Sequence, residues 1–154
     1  MPQEVFDLWI APQLEAYGWA FTSDECSLKG TSWQDFFASR SLREWAVLEW
    51  RLVQVRLSRQ IFHPDTSWRI DGIIGHCVYG LNTDMANLDD TKERFRRCAD
   101  FIRENGRLPA PVIGVPDFRG LELVDGHHRI AALFYVGIPT GFQIPVWVGI
   151  SENS

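Results

Sequence analysis

The chain is poor in cysteine. Its three, Cys26, Cys77 and Cys98, lie far apart and form no Cys-x-x-Cys pair. An odd number at such spacing builds neither a disulfide framework nor a thiolate metal site, and reads as reduced, packed thiols in a cytoplasmic protein. No apolar run approaches the length of a transmembrane helix, which argues against a membrane partner. The N-terminus carries Glu4 and Asp7 where a signal peptide has a basic stretch. Positive charge is also short, with 15 Lys and Arg against 20 Asp and Glu, a net charge of -5. Binding to a phosphate backbone wants a basic face, so this balance disfavours nucleic acid as a partner. There is no Walker-type Gly-rich loop, no Ser/His/Asp signature, no internal repeat and no low-complexity stretch.

What the chain does have is a core-forming composition and many aromatics. At 154 residues and 45% apolar, it is long enough for one domain with its own core. Seven Trp and ten Phe suit a large aromatic core with some surface anchors. Five of the tryptophans, Trp9, Trp19, Trp33, Trp45 and Trp50, fall in the N-terminal third, where exposed ones would serve a protein partner.

Periodicity places the elements. Val5, Leu8, Trp9 and Leu14 suit a short amphipathic helix broken near Pro12, followed by a loop over 18–30. Thr31 or Ser32 caps a second helical pattern that runs through Phe36, Phe37, Leu42, Trp45 and Leu48. Leu52, Val53, Val55 and Leu57 alternate with polar residues and predict a strand. His63-Pro64-Asp65 and Asp71-Gly72 read as turns, with Ile73 to Tyr79 either strand or short helix. Asp89 or Asp90 caps a helix with Phe95, Cys98, Ala99 and Ile102 on one face, ended by Asn105-Gly106. Its basic residues, Lys92, Arg94, Arg96, Arg97 and Arg103, alternate with acids as on a solvated face. A hairpin follows, Val112–Val115 and Leu121–Val124 around Pro116–Gly120, then a helix to about Tyr135, closed by Gly137, and a last strand over 144–148.

Between the hairpin and that last helix stands Asp125-Gly126-His127-His128-Arg129. A strand-to-helix junction offers unpaired N–H groups and the positive helix end to an anion. Gly126 permits a sharp turn and close backbone approach, or is a turn glycine alone. Arg129 is a planar, always-charged fork suited to phosphate, and the commoner alternative is an ion pair. In the first helical turn it opposes the helix dipole, so Asp125 or a bound anion should offset it. His127 and His128 titrate near neutrality, but successive helical residues diverge by about 100°, so one atom is not served by both. Asp125 orients a histidine, meets a metal-bridged phosphate or simply caps the helix. Arg56 and Arg103 are secondary anion contacts. His63 and His76 have no metal-motif spacing to each other or to the junction.

The segment from Phe101 to Val148 resembles the ParB/sulfiredoxin superfamily. The matching pieces, in order, are the helix end Phe101-Ile102-Arg103-Glu104-Asn105-Gly106, the strand Pro111-Val112-Ile113-Gly114-Val115, the string Val124-Asp125-Gly126-His127-His128-Arg129 with Ala131-Ala132 after it, and Gly137 before Pro145-Val146. The chain departs from both branches. Where segregation-type ParB proteins have Gly-Glu-Arg-Arg and a further arginine, it has Gly126-His127-His128-Arg129 and Ala131, and only 25 residues follow Arg129, too few for a helix-turn-helix domain. Where sulfiredoxin has its catalytic cysteine it has His127, so thiolate chemistry is closed to it. His128 and Arg129 do match the sulfiredoxin string, whose role there is phosphate handling.

The resemblance implies a single α+β domain with a small mixed sheet and flanking helices over 51–150; residues 1–50, which it does not reach, read as a helical N-terminal extension packed on it. It implies nucleotide or phosphoester binding, with phosphoryl hydrolysis or transfer assisted by Mg²⁺ brought with a nucleotide. In that reading Gly126 and Arg129, with Arg56 behind them, hold the phosphate. His128, or else His127, moves the proton, and Asp125 supports it. The alternatives are a ParB-like DNA nuclease and a non-enzymatic regulatory protein of a mobile element.

Overall fold

The computed structural model describes residues 1–12, 42–81 and 90–152. The predicted elements over 13–41, including Trp19, Trp33 and Cys26, and Asp89 lie outside the described residues.

The core is a four-stranded mixed sheet of order β1-β4-β2-β3. β1 is Glu49–Arg56, β2 Val112–Asp117, β3 Gly120–Asp125 and β4 Gln143–Ile150. β1 runs antiparallel to β4, β4 parallel to β2, and β2 antiparallel to β3. The hairpin is tighter than the sequence suggests: Phe118 and Arg119 alone join β2 to β3, and Asp117 accepts the Arg119 N–H.

Both faces of the β4-β2-β3 part of the sheet are covered, as strand alternation requires when each set of side chains is apolar, whereas β1 is mostly exposed. Val112, Leu121, Leu123, Ile144 and Val146 point to a layer of three helices. Those are α3, Pro64–Tyr79; α4, Thr91–Asn105; and α5, His127–Val136. Ile113 and Val115, with Val124 and Trp147 half-buried, point the other way. There they meet α1, which starts at Gln3–Val5 and continues as a π-helical turn, Phe6–Ile10. The short α2, Leu42–Ala46, adds Trp45 to the same side. Trp9 and Trp45 cross edge to face at 4.9 Å, and both are buried. Polar clasps close this layer: Trp147 Nε1 donates to Glu4, Trp50 Nε1 to the Trp45 carbonyl, and the Met1 amine to the Ala46 carbonyl. The described part of the N-terminal segment is thus one side of the core. Trp9 and Trp45 are packing residues there, not surface anchors.

Two sequence expectations fail in α3. His63-Pro64-Asp65 begins a helix: His63 Nδ1 accepts the Asp65 N–H and Pro64 occupies the first helical position. Asp71-Gly72 is helix interior, not a turn. Ile70 and Ile73 sit on the face that α3 buries against the sheet, with Ile74 and Cys77 packed beside them. That burial outweighs the roughly 1 kcal/mol an interior glycine costs. α3 ends where a left-handed glycine ends it, at Gly80, as α4 does at Gly106. The basic face of α4 is solvated as predicted. Arg94 pairs with Asp90, Arg96 and Arg97 with Glu93, and Arg103 with Asp100, all exposed.

Candidate functional site

Asp125 is the last residue of β3, opposite Ile113 of β2 and just past an irregularity in the β2–β3 register. Gly126 then turns the chain at φ +102° and becomes the N-cap of α5. The turn demands glycine twice over. A Cβ there would adopt a left-handed conformation and stand 2.5 Å from Val112 Cγ1 and 3.1 Å from the Arg129 guanidinium. No side chain caps α5. Ile130 is the first residue to bond back, to the Gly126 carbonyl, so the N–H groups of His127, His128 and Arg129 precede the helical ladder.

Arg129 reaches back one turn to Asp125 in a short, half-buried ion pair. That satisfies the expectation that something must offset a cation in the first turn. Among the described residues its Nε is buried without a partner, as are Nε2 of His127 and Nε2 of His128. The two imidazoles answer to different neighbours. His127 is lowered to about 3, by burial first and then by the charges of Arg69 on α3, His128 and Arg129. His128 is lowered to about 4, by burial first and then by Arg94, with Asp90 opposing and Arg129 assisting. Both are neutral at pH 7. Asp90 and Arg94 belong to the N-cap and first turn of α4, so the positive ends of two helices meet here. Thr91, the residue after Asp90, is fully buried, and its hydroxyl has no partner among the described residues. Cys98 lies close enough for Arg129, Arg94 and Arg97 to act on it, yet burial dominates and pushes the thiol up. It is a packed thiol, as is Cys77, also raised by burial.

The structure therefore brings Asp125, Gly126, His127, His128 and Arg129 together, and adds Arg69, Asp90 and Arg94, none of which the sequence marked as a site residue. Arg69 was hidden because its helix read as two turns. Arg94 was hidden because its i,i+4 pairing with Asp90 reads as a solvated face.

Arg56 is not part of this site. Asp125 stands in a row with Ile113, Trp147 and Leu52 across the sheet. Arg56 is on the far strand and four residues further along, about 20 Å away by strand geometry. Arg103 lies over the Tyr135 ring at 5.5 Å, well down α4. His63 and His76 do not converge either. They stand at the N-cap and in the last turn of α3, about 20 Å apart by helical rise. Among the described residues no group of three or more His, Cys, Asp or Glu could hold a metal ion. A shallow cavity of about 290 Å³ lies on the 107–111 loop and the start of β4, and none of the motif residues line it.

No family model, curated protein or solved structure matches the chain.

Proposed function

We propose that the β3–α5 junction binds the phosphate of a nucleotide or another phosphoester, and acts on it by phosphoryl hydrolysis or transfer. One observation carries this reading. Of the five buried side-chain N and O atoms without partners among the described residues, three belong to the consecutive residues His127, His128 and Arg129, and a fourth to Thr91 at the adjoining helix end. Buried polar atoms are rarely left unpaired, and where they cluster at a functional site a ligand is the natural partner.

The roles follow from chemistry. The N–H groups after Gly126 and the two helix ends attract the anion. Arg129 supplies the fork that neutralises charge developing in phosphoryl transfer, once it shares or leaves Asp125. The imidazoles are weak bases in the free protein. A phosphate dianion beside them favours their charged form and raises their affinity for a proton, which suits His128, or else His127, to proton handling. Asp125 is the motif's carboxylate and is already held by Arg129. Mg²⁺ would enter this site as a companion of the nucleotide, and Asp125, released by Arg129, is the carboxylate that would hold it. The order of strand, junction and helix supports a ParB/sulfiredoxin-like assignment of the fold. A DNA nuclease is less well supported, because the arginines on the outer face of α4 are spent on neighbouring acids.

The test is a thermal-shift screen of wild type and Arg129→Ala against ATP, CTP, GTP and pyrophosphate, each with and without Mg²⁺. A ligand that binds the folded state alone raises the melting temperature. The expected result is a rise with at least one of them that Arg129→Ala abolishes, followed by phosphate release on incubation. Wild type that shifts with none of the four overturns the proposal.

A further inference from the structure

The two sheet edges are finished differently. On the β3 edge, Phe62 forms a parallel bridge with Leu121, and the His63 N–H bonds the Leu121 carbonyl. On the β1 edge, nothing among the described residues pairs with the strand. β1 is eight residues long, with Leu52 47% and Val53 36% exposed. It has no proline and no bulge in its register with β4, two of the devices that blunt an edge, although it carries a third, charge, at Glu49, Arg51 and Arg56.

Leu57 donates its N–H to the Phe142 carbonyl, and this pair continues the β1–β4 register, in which Arg56 faces Gln143. In an antiparallel ladder, directly opposite residues alternate between exchanging bonds and exchanging none. Odd-numbered residues of β1 therefore bond β4, and the even-numbered Trp50, Leu52, Gln54 and Arg56 turn their N–H and C=O outward. Pro145, which has no N–H, fits this phase, because its partner is Gln54.

Trp50, Leu52, Gln54 and Arg56 are symmetric about Val53. We propose that β1 pairs antiparallel with β1 of a second copy of this chain across a two-fold axis at Val53, making one continuous eight-stranded sheet. In this register Trp50 faces Arg56 of the other copy and Leu52 faces its Gln54. All four outward residues then exchange both bonds. A register shifted by one residue to centre on Leu52 leaves Arg56 unpaired. The side chains agree with the backbone. The Arg56 guanidinium meets the Trp50 ring, a favourable cation–π pair. Val53 meets Val53 at a non-bonded position, where side chains come closest, and Arg51 meets Val55. No two like charges stand directly opposite. The pairing gives Arg56 a role at the interface rather than at the phosphate site.

The test is sedimentation of the full chain over a concentration series, with hydrogen exchange on the same samples. Wild type is expected to form a dimer of twice its 17.7 kDa. In the dimer the amides of Trp50, Leu52, Gln54 and Arg56 slow in exchange relative to the dilute monomer, while those of Arg51, Val53 and Val55 are protected at both concentrations. Val53→Lys sets like charges opposite each other and is expected to weaken association by tenfold or more. Leu52→Pro removes an outward N–H without touching a β1–β4 bond and is expected to be monomeric. Circular dichroism of each variant confirms that it is folded. Wild type that stays monomeric throughout overturns the proposal. So does a dimer whose even-numbered β1 amides exchange freely, or one that Val53→Lys, folded, leaves intact.

Discussion

Gly126 and Gly106 both sit at positive φ, but only one is crowded. Nothing lies within 4 Å of a Cβ added at Gly106, whereas one added at Gly126 meets Val112 at 2.5 Å. Gly106→Ala should therefore cost only the left-handed strain, about 1 kcal/mol. Gly126→Ala should cost about 2–4 kcal/mol, strain and overpacking together. Urea unfolding of the two variants measures the difference, and equal losses would mean that Val112 yields freely. The histidines give a second residue-scale prediction. Above pH 6.5 both imidazoles are neutral in the folded and the unfolded chain and contribute nothing to pH dependence. Below it the unfolded chain takes up protons that the folded site refuses until about pH 4 for His128 and about pH 3 for His127. Stability should thus fall as pH drops from 6.5, by up to about 1.4 kcal/mol per pH unit for each group. Urea midpoints at stepped pH should show a shallower fall for a His127→Asn, His128→Asn double variant. Identical slopes would mean that the rings are more solvated than their orphaned Nε2 atoms imply.

At the scale of the element, α3 separates local propensity from packing. His63, Pro64 and Asp65 form a turn in either reading. What makes it a helix start is the bond from the Asp65 N–H to the His63 ring, which is 1% exposed and near Asp117 of the hairpin. His63→Ala should cost about 2–3 kcal/mol, from the lost cap and the cavity left by a buried ring. His63→Asn should recover about 1 kcal/mol of that by restoring the cap. Chemical denaturation of the three proteins compares them, and an asparagine no better than alanine would reduce His63 to a filler. Asp71-Gly72 misleads for a related reason. A Gly-containing dipeptide is a turn signal only when no burial opposes it, and here the apolar face of α3 does. α4 and α5 were legible because their apolar periods and closing glycines agree, although neither N-cap residue makes a side-chain cap bond. The strands were legible from alternation, but the turn between β2 and β3 was read as longer than it is.

At the scale of the whole molecule, the sheet is closed by two unlike layers, and the N-terminal one is structural. Trp9→Ala, which strips the partner from Trp45 and opens the layer over Ile113 and Val115, should cost about 3–5 kcal/mol in a single cooperative transition. A separate early transition in the melt would show that the layer is a detachable extension. Periodicity and turn chemistry determined most strand and helix positions and the five-residue junction, because each is written in residues adjacent along the chain. The tertiary structure decided what lies around that junction: the Asp125–Arg129 pair, the charges of Arg69 and Arg94, the orphaned atoms of His127, His128 and Thr91, and the removal of Arg56 to the opposite edge. Those depend on which helix ends meet and on the strand order β1-β4-β2-β3. Long-range packing sets both, through burial of apolar faces that are alike in sequence and differ only in their partners.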